Sequence, residues 1–214
     1  MTRTLAIDCS TEACSVALFD GDALLANEHA VLGRGHAERL VPMIAALPER
    51  GCADRILVAL GPGSFTGIRI GIATARALGV AWQAKVLGYP TLALVAAMAQ
   101  DGRDGAVTVC MTGGHGEWFV QDFGRDGMPD TQLVSLIPDE AIERGAHSLI
   151  AGNKARELAE RLDPHAEALD LLPDASRVRL LPQAALTDRL SALYGRAPDA
   201  KPLAQQVKQR ERAR

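Results

Sequence analysis

Asp8 ends a short apolar run and is followed closely by Ser10 and Thr11. A carboxylate beside two hydroxyls is the smallest kit with which a chain could hold magnesium and phosphate. A second stretch with chemical potential is Gly61-Pro62-Gly63-Ser64, which runs into Phe65-Thr66-Gly67-Ile68-Arg69-Ile70-Gly71. A strand that enters a glycine-rich turn and leaves as a helix can cradle phosphate on exposed amides. Both signals are incomplete. A Walker-type loop ends in Gly-Lys-Ser/Thr, whereas here Ile68 and Arg69 follow Gly67. A dinucleotide fingerprint fails on spacing, and no glycine occupies positions 9, 10 or 11. The residues themselves favour a structural reading: Asp8, Ser10, Thr11, Gly61, Pro62, Gly63 and Ser64 form loops, with Asp8 tying its own turn together.

The remaining candidates are weaker. Met111-Thr112-Gly113-Gly114-His115-Gly116 is the later counterpart of the Asp8 segment, and Thr112 supplies no second carboxylate. A twin-carboxylate metal site is therefore missing. His115 lies between glycines and shows no Ser/His/Asp order around it. His29, His36, His115, His147 and His165 are scattered without ligand spacing, and Cys9, Cys14, Cys52 and Cys110 include no Cys-x-x-Cys pair. Small buried thiols are expected, with no disulfide framework in a reducing compartment. The sequence thus names no catalytic residue, no metal site and no cofactor.

The elements that would position these residues can be read from periodicity. Apolar runs predict strands at 5–7, 14–19 and 23–28, with Asp20-Gly21-Asp22 as a hairpin turn, so the chain opens as an antiparallel meander. Helical spacing of Leu40, Val41, Ile44 and Leu47 predicts a helix from His36, with Pro42 as a kink or a late start. His36 is expected as a cap or facing solvent. A strand at 55–60, a helix at 66–83, a strand at 85–88 and a helix from Pro90 to Gln100 follow. A polar, glycine-containing boundary at 101–105 precedes a looser echo: strands at 106–111, 117–123 and 132–136, a helix at 138–144, a strand at 147–151 and a helix at 154–161. A last helix is expected over 180–194. Two β-β-β-α-β-α halves are the layout of the actin, hexokinase and Hsp70 superfamily. The expected fold is therefore α/β and actin-like (ASKHA), with two ribonuclease-H-like lobes at 1–100 and 106–200 and a charged tail at 201–214.

One helix asks for a packing reason. Gly67, Gly71, Ala75 and Gly79 recur four apart, hence on one face. Each glycine inside a helix costs about 0.8–1.0 kcal/mol against alanine. Such a face lets another backbone approach, either the chain's own sheet or a partner. Arg69 and Arg76, seven apart, project alike and could bridge an interface. The helix from His36 offers a broad apolar stripe beside it.

Bulk properties set the frame. A hydrophobic content of 48% supports a sizeable core. A net charge of -3 argues against general attraction to nucleic acid, and 4% aromatic content argues against a base-stacking RNA module. The opening apolar stretch is too short for a signal peptide, and no run reaches the ~18 apolar residues of a membrane span. Cytoplasm is the expected compartment.

Three stretches carry a family resemblance: Leu5 to Leu18, His36 to Ile44 and Gly61 to Gly71, with fainter matches at Ala151-Gly152-Asn153 and Leu193 to Asp199. On these the chain resembles the TsaB (YeaZ) family. The resemblance implies a part in making N6-threonylcarbamoyladenosine beside the tRNA anticodon. In that family the actin-like subunit TsaD transfers the threonylcarbamoyl group, TsaB binds TsaD as an inactive paralogue, and the small ATPase TsaE joins them. It also implies homodimers when the chain is alone, no membrane, and tRNA engaged through the complex. By motif match the partner surface falls on the helices 36–47 and 67–83, giving His36, Leu40, Ile44, Gly67, Arg69, Gly71, Ile72, Ala75, Arg76 and Gly79 as interface candidates. Thr112-Gly113-Gly114-His115 replaces the family's usual Asp-Ala-Arg-like segment. The competing readings are an ATP-dependent transferase or peptidase acting on its own, and a general RNA-binding module.

Overall fold

The computed structural model describes residues 2–195, so the expected charged tail and the end of the faint match at Arg196 to Asp199 lie outside the described residues. The chain opens with β1 (Arg3–Asp8), β2 (Ala13–Asp20) and β3 (Ala23–Val31), an antiparallel meander turned at Gly21. Helix α1 (His36–Ala46) leads to β4 (Arg55–Ala59), helix α2 (Phe65–Trp82), β5 (Lys85–Tyr89) and helix α3 (Thr91–Gln100). Pro42 sits inside α1 with its ring outward, so the helix starts at His36 and runs through the proline. The sheet order is β3-β2-β1-β4-β5, with β4 parallel to both β1 and β5.

The second half repeats this plan. After a turn at 101–105 come β6 (Val107–Thr112), β7 (Trp118–Phe123), β8 (Val134–Leu136), α4 (Pro138–Arg144), β9 (Leu149–Ala151), α5 (Ala155–Leu162) and β10 (Glu167–Leu169). The order β8-β7-β6-β9-β10 matches the first sheet strand for strand, with the same parallel and antiparallel pairings. This duplicated topology is the two-lobed actin-like fold. β10, only three residues long, has too little sequence to show a period.

The helix expected over 180–194 does not form. Short 3-10 turns at Ala175–Leu180 and Gln183–Ala185 flank Pro182, which cannot continue a helix. The segment instead bonds to the first sheet. Gly88 and Thr187 exchange two backbone hydrogen bonds (2.7 and 3.0 Å) at the β5 edge, and the Leu193 amide donates to Leu60 O (2.7 Å). Tertiary pairing overrides helical spacing here.

Alternation along the strands buries both faces of the first sheet. Leu5, Ile7, Val16, Leu18 and Val58 meet α1 and α2. Ala6, Ala17, Phe19, Leu57 and Ala59 face α3. Helix α3 is buried almost all round, as an apolar helix without a polar face must be. It packs with Val107, Val109, Met111, Phe119 and Phe123 of the second sheet, so one core runs through both lobes. Polar ties reinforce it: the Ala175 amide donates to Ser15 Oγ (2.9 Å), and Asn153 Nδ2 donates to Glu12 Oε1 (2.8 Å).

Candidate functional site

β1 delivers Asp8 to the inter-lobe cleft, where the side chain is buried rather than open. Ser10 donates twice to its Oδ1, from the amide (2.9 Å) and from Oγ (2.6 Å). The Tyr89 hydroxyl lies 3.1 Å from Ile7 O and 3.2 Å from Asp8 Oδ2, bonding both. Burial pushes the Asp8 carboxyl above the usual carboxylate range, and the Ser10 and Tyr89 hydrogen bonds pull it part of the way back. Both oxygens are engaged within the fold. Thr11 is likewise occupied: its Oγ1 accepts from the Ala13 amide (3.2 Å). Its carbonyl takes a hydrogen bond from His36 Nε2 (2.9 Å). His36 is therefore neither a cap nor solvent-facing. It is buried, and it pins the start of α1 to the 11–13 loop.

The glycine loop closes on that same turn. The Ser64 amide donates to Ser10 O (2.7 Å), and Ser64 Oγ caps α2 by accepting from the Gly67 amide (3.2 Å). Gly61-Pro62 is a cis peptide. A Cβ at Gly63 would collide with Ser10 O, and one at Gly67 with Cys9 O. These glycines bring α2 hard against the end of β1. The loop amide and hydroxyl that bond here serve the fold, leaving a docked turn where a phosphate cradle would present donors outward.

Across the cleft, Thr112 ends β6 as Asp8 ends β1. Its amide donates to Asn153 Oδ1 (2.8 Å), whose Nδ2 reaches Glu12. The cleft holds a cavity of about 410 Å³ lined by Ser10, Thr11, Glu12, Gly63, Thr112 and Asn153, among others. Glu12, its one carboxylate, is already bonded to Asn153. Among the described residues, no three His, Cys, Asp or Glu side chains gather as a metal site.

The interface candidates divide by face. Leu40 and Ile44 of α1, and Gly67, Gly71, Ile72, Ala75 and Gly79 of α2, turn inward onto the chain's own sheet. The stripe of small residues thus seats α2 on β1, β4 and β5 and is turned away from solvent. Arg69 and Arg76 point outward but are not idle. Arg69 stacks 3.5 Å from the Phe65 ring centre and donates to Tyr194 Oη (3.1 Å), and Arg76 donates to Leu190 O (2.8 Å). The outward apolar surface is a different set: Ala37, Val41 and Ala45 on α1, and Ala73, Ala77 and Val80 on α2, with Val80 83% exposed. Sequence periodicity missed it because α2 is small or apolar on nearly every side, so spacing alone could not say which stripe turns inward.

Residues 29–163 match the family model for TsaD: tRNA N6-adenosine threonylcarbamoyltransferase. The tRNA threonylcarbamoyladenosine biosynthesis protein TsaB of Escherichia coli is 38% identical over 132 residues, covering 58% of this chain and 56% of that protein. TsaB of Haemophilus influenzae is 40% identical over 101 residues, covering 44% of this chain and 42% of that protein, so the chain spans about half the length of these curated relatives. An uncharacterized protein of Mycobacterium tuberculosis is 30% identical over 220 residues, covering 95% of this chain and 96% of its own length. The solved structure of YeaZ from Pseudomonas aeruginosa superposes with a TM-score of 0.76 at 30% identity, over 91% of this chain and 100% of that one. With the duplicated sheets, the closed Asp8 turn and these likenesses together, the chain belongs to the TsaB (YeaZ) family.

Proposed function

We propose that this chain is a non-catalytic subunit that binds and activates a TsaD-like transferase, and so supports N6-threonylcarbamoyladenosine formation beside the tRNA anticodon. A TsaE-like ATPase joins the pair, tRNA is engaged through the complex, the isolated chain forms homodimers, and the site of action is the cytoplasm. The carrying observation is a first-lobe turn whose polar groups are bonded within the fold, together with small and apolar side chains exposed on two helices. Asp8 is closed within its turn and Thr112 stands where a second carboxylate would be needed. Val41, Ala73, Ala77 and Val80 meanwhile expose small and apolar side chains on two adjacent helices. Helices with small outward residues let a partner's helices approach closely, and exposed apolar area of this kind stabilises association.

Reconstitution with each subunit omitted in turn tests the reading. This chain alone transfers no threonylcarbamoyl group, and its omission lowers modification by the remaining subunits. Transfer by the isolated chain would refute the proposal. Val80→Asp and Ala77→Asp add charge to the outer face without touching the core. Each is expected to weaken binding to the transferase at least tenfold while leaving the melting temperature within a few degrees. Full-strength binding by both folded variants would move the interface elsewhere.

A further inference from the structure

Cys9 and Cys14 are the one cysteine pair that the fold brings together. β1 and β2 pair antiparallel with Asp8 opposite Ser15, so the next register position sets Cys9 opposite Cys14. Directly opposed residues on such strands have Cα atoms about 4.5–5.5 Å apart, inside the range a disulfide spans. The Sγ atoms lie 3.4 Å apart, and both residues are reduced. Cys52 is exposed, and Cys110 is buried in the second lobe among Trp118, Ile150 and Leu158.

We propose that Cys9 and Cys14 are a site of reversible oxidative modification, closing to a cross-strand disulfide with a hydroperoxide as oxidant. Cys14 ionises, its thiolate attacks one peroxide oxygen, the O–O bond breaks, and the departing hydroxide combines with the proton Cys14 released on ionising and leaves as water. Cys14 is then a sulfenic acid. Cys9 gives up its proton and attacks the Cys14 sulfur; the S–O bond breaks, the S–S bond forms, and the hydroxide leaves with the Cys9 proton as a second water. Two thiols and one peroxide become one disulfide and two waters, the sulfurs together losing the two electrons the peroxide gains.

The contact between the two thiols supports this order of events. The hydrogen bond between the thiols lowers the pKa of Cys14 and raises that of Cys9, whose thiol burial also disfavours ionising, so Cys14 is the first nucleophile and Cys9 the resolving thiol. Access is the counterweight, because both side chains are buried. Hydrogen peroxide is close to water in size, and the inter-lobe cavity reaches Ser10, the residue next to Cys9. Oxidation is therefore expected to be slower than at an exposed thiol, yet to finish as a disulfide, because the resolving sulfur already sits beside the site of attack.

The test uses the full chain carrying Cys52→Ser, which removes intermolecular pairing through the exposed thiol. Native protein is treated with hydrogen peroxide, quenched, denatured and titrated for thiols. The count is expected to fall from three to one, with the loss of two hydrogens in mass, a peptide linking Cys9 to Cys14, and full recovery with dithiothreitol. Cys9→Ala in the same background is expected to give no link and to accumulate sulfenic acid at Cys14. A Cys9→Ser variant serves if the alanine form folds poorly. Three thiols persisting after a dose that fully oxidises the unfolded chain would overturn the proposal. So would oxygen added at Cys9 or Cys14 without a link between them.

Discussion

Asp8 ends β1 buried beneath the 10–13 turn and commits both oxygens to Ser10 and Tyr89. Its pKa lies above the ordinary value, so the folded state holds this proton more tightly than the unfolded chain does. Asp8 therefore subtracts stability as pH rises from the ordinary carboxylate range towards its raised folded value. Asp8→Asn keeps an acceptor for Ser10 and removes the buried charge. It is expected to match or exceed the parent in stability at neutral pH and to support tRNA modification in the reconstituted assay. Asp8→Ala strands the Ser10 amide and hydroxyl, while Tyr89 keeps Ile7 O as acceptor, and it is expected to cost about 1–3 kcal/mol in denaturant unfolding. Asp122 behaves in the opposite sense. Burial alone would raise its pKa, but hydrogen bonds from Arg144 and Thr108 outweigh that and hold the carboxylate below its usual range. This ion pair contributes stability above the ordinary carboxylate pKa, which is lost as pH falls through the lowered value. Arg144→Ala is expected to cost about 1–3 kcal/mol at neutral pH, and to flatten the acid limb of the stability curve. At this scale the sequence was legible where a residue type was missing, as with the glycine absent after Asp8. It was silent where contact depends on strand register or tertiary seating: the facing of Cys9 and Cys14, and the burial of His36 under the 11–13 loop.

Helix α2 shows what the four-residue spacing of small side chains can and cannot say. The spacing of Gly67, Gly71, Ala75 and Gly79 correctly signals a close approach, and the sheet beneath is what approaches. The glycines are not equivalent. A Cβ at Gly71 meets Val58, Cys9 and Ile7 at 3.6–3.9 Å, ordinary contact distance. Gly71→Ala is therefore expected to be neutral or to stabilise by up to ~1 kcal/mol through helix propensity. A Cβ at Gly67 would strike Cys9 O, a backbone atom with nowhere to go. Gly67→Ala is expected to destabilise by about 1–3 kcal/mol, the usual cost of overpacking. Thermal unfolding of the two variants side by side checks both. Most strands and helices were legible because their periods are clean and their ends are marked by Gly, Pro or Asp. The 180–194 segment was not: its spacing resembles a helix, but Pro182 and the pairing of Thr187 with the β5 edge decide the outcome.

At the scale of the molecule, the duplication was visible in element order, although the two halves barely match in residues. Equal topology needs only equal alternation of apolar and polar positions, which many sequences satisfy. Helix α3, wedged between the two sheets with nearly every side chain covered, has a consequence for the gene as much as for the protein. A coding sequence divided at the 101–105 turn would leave the amino-terminal product with an oily underside and the carboxy-terminal product without its lid. Neither fragment is expected to stay dissolved when expressed singly, whereas the two made together should recover each other.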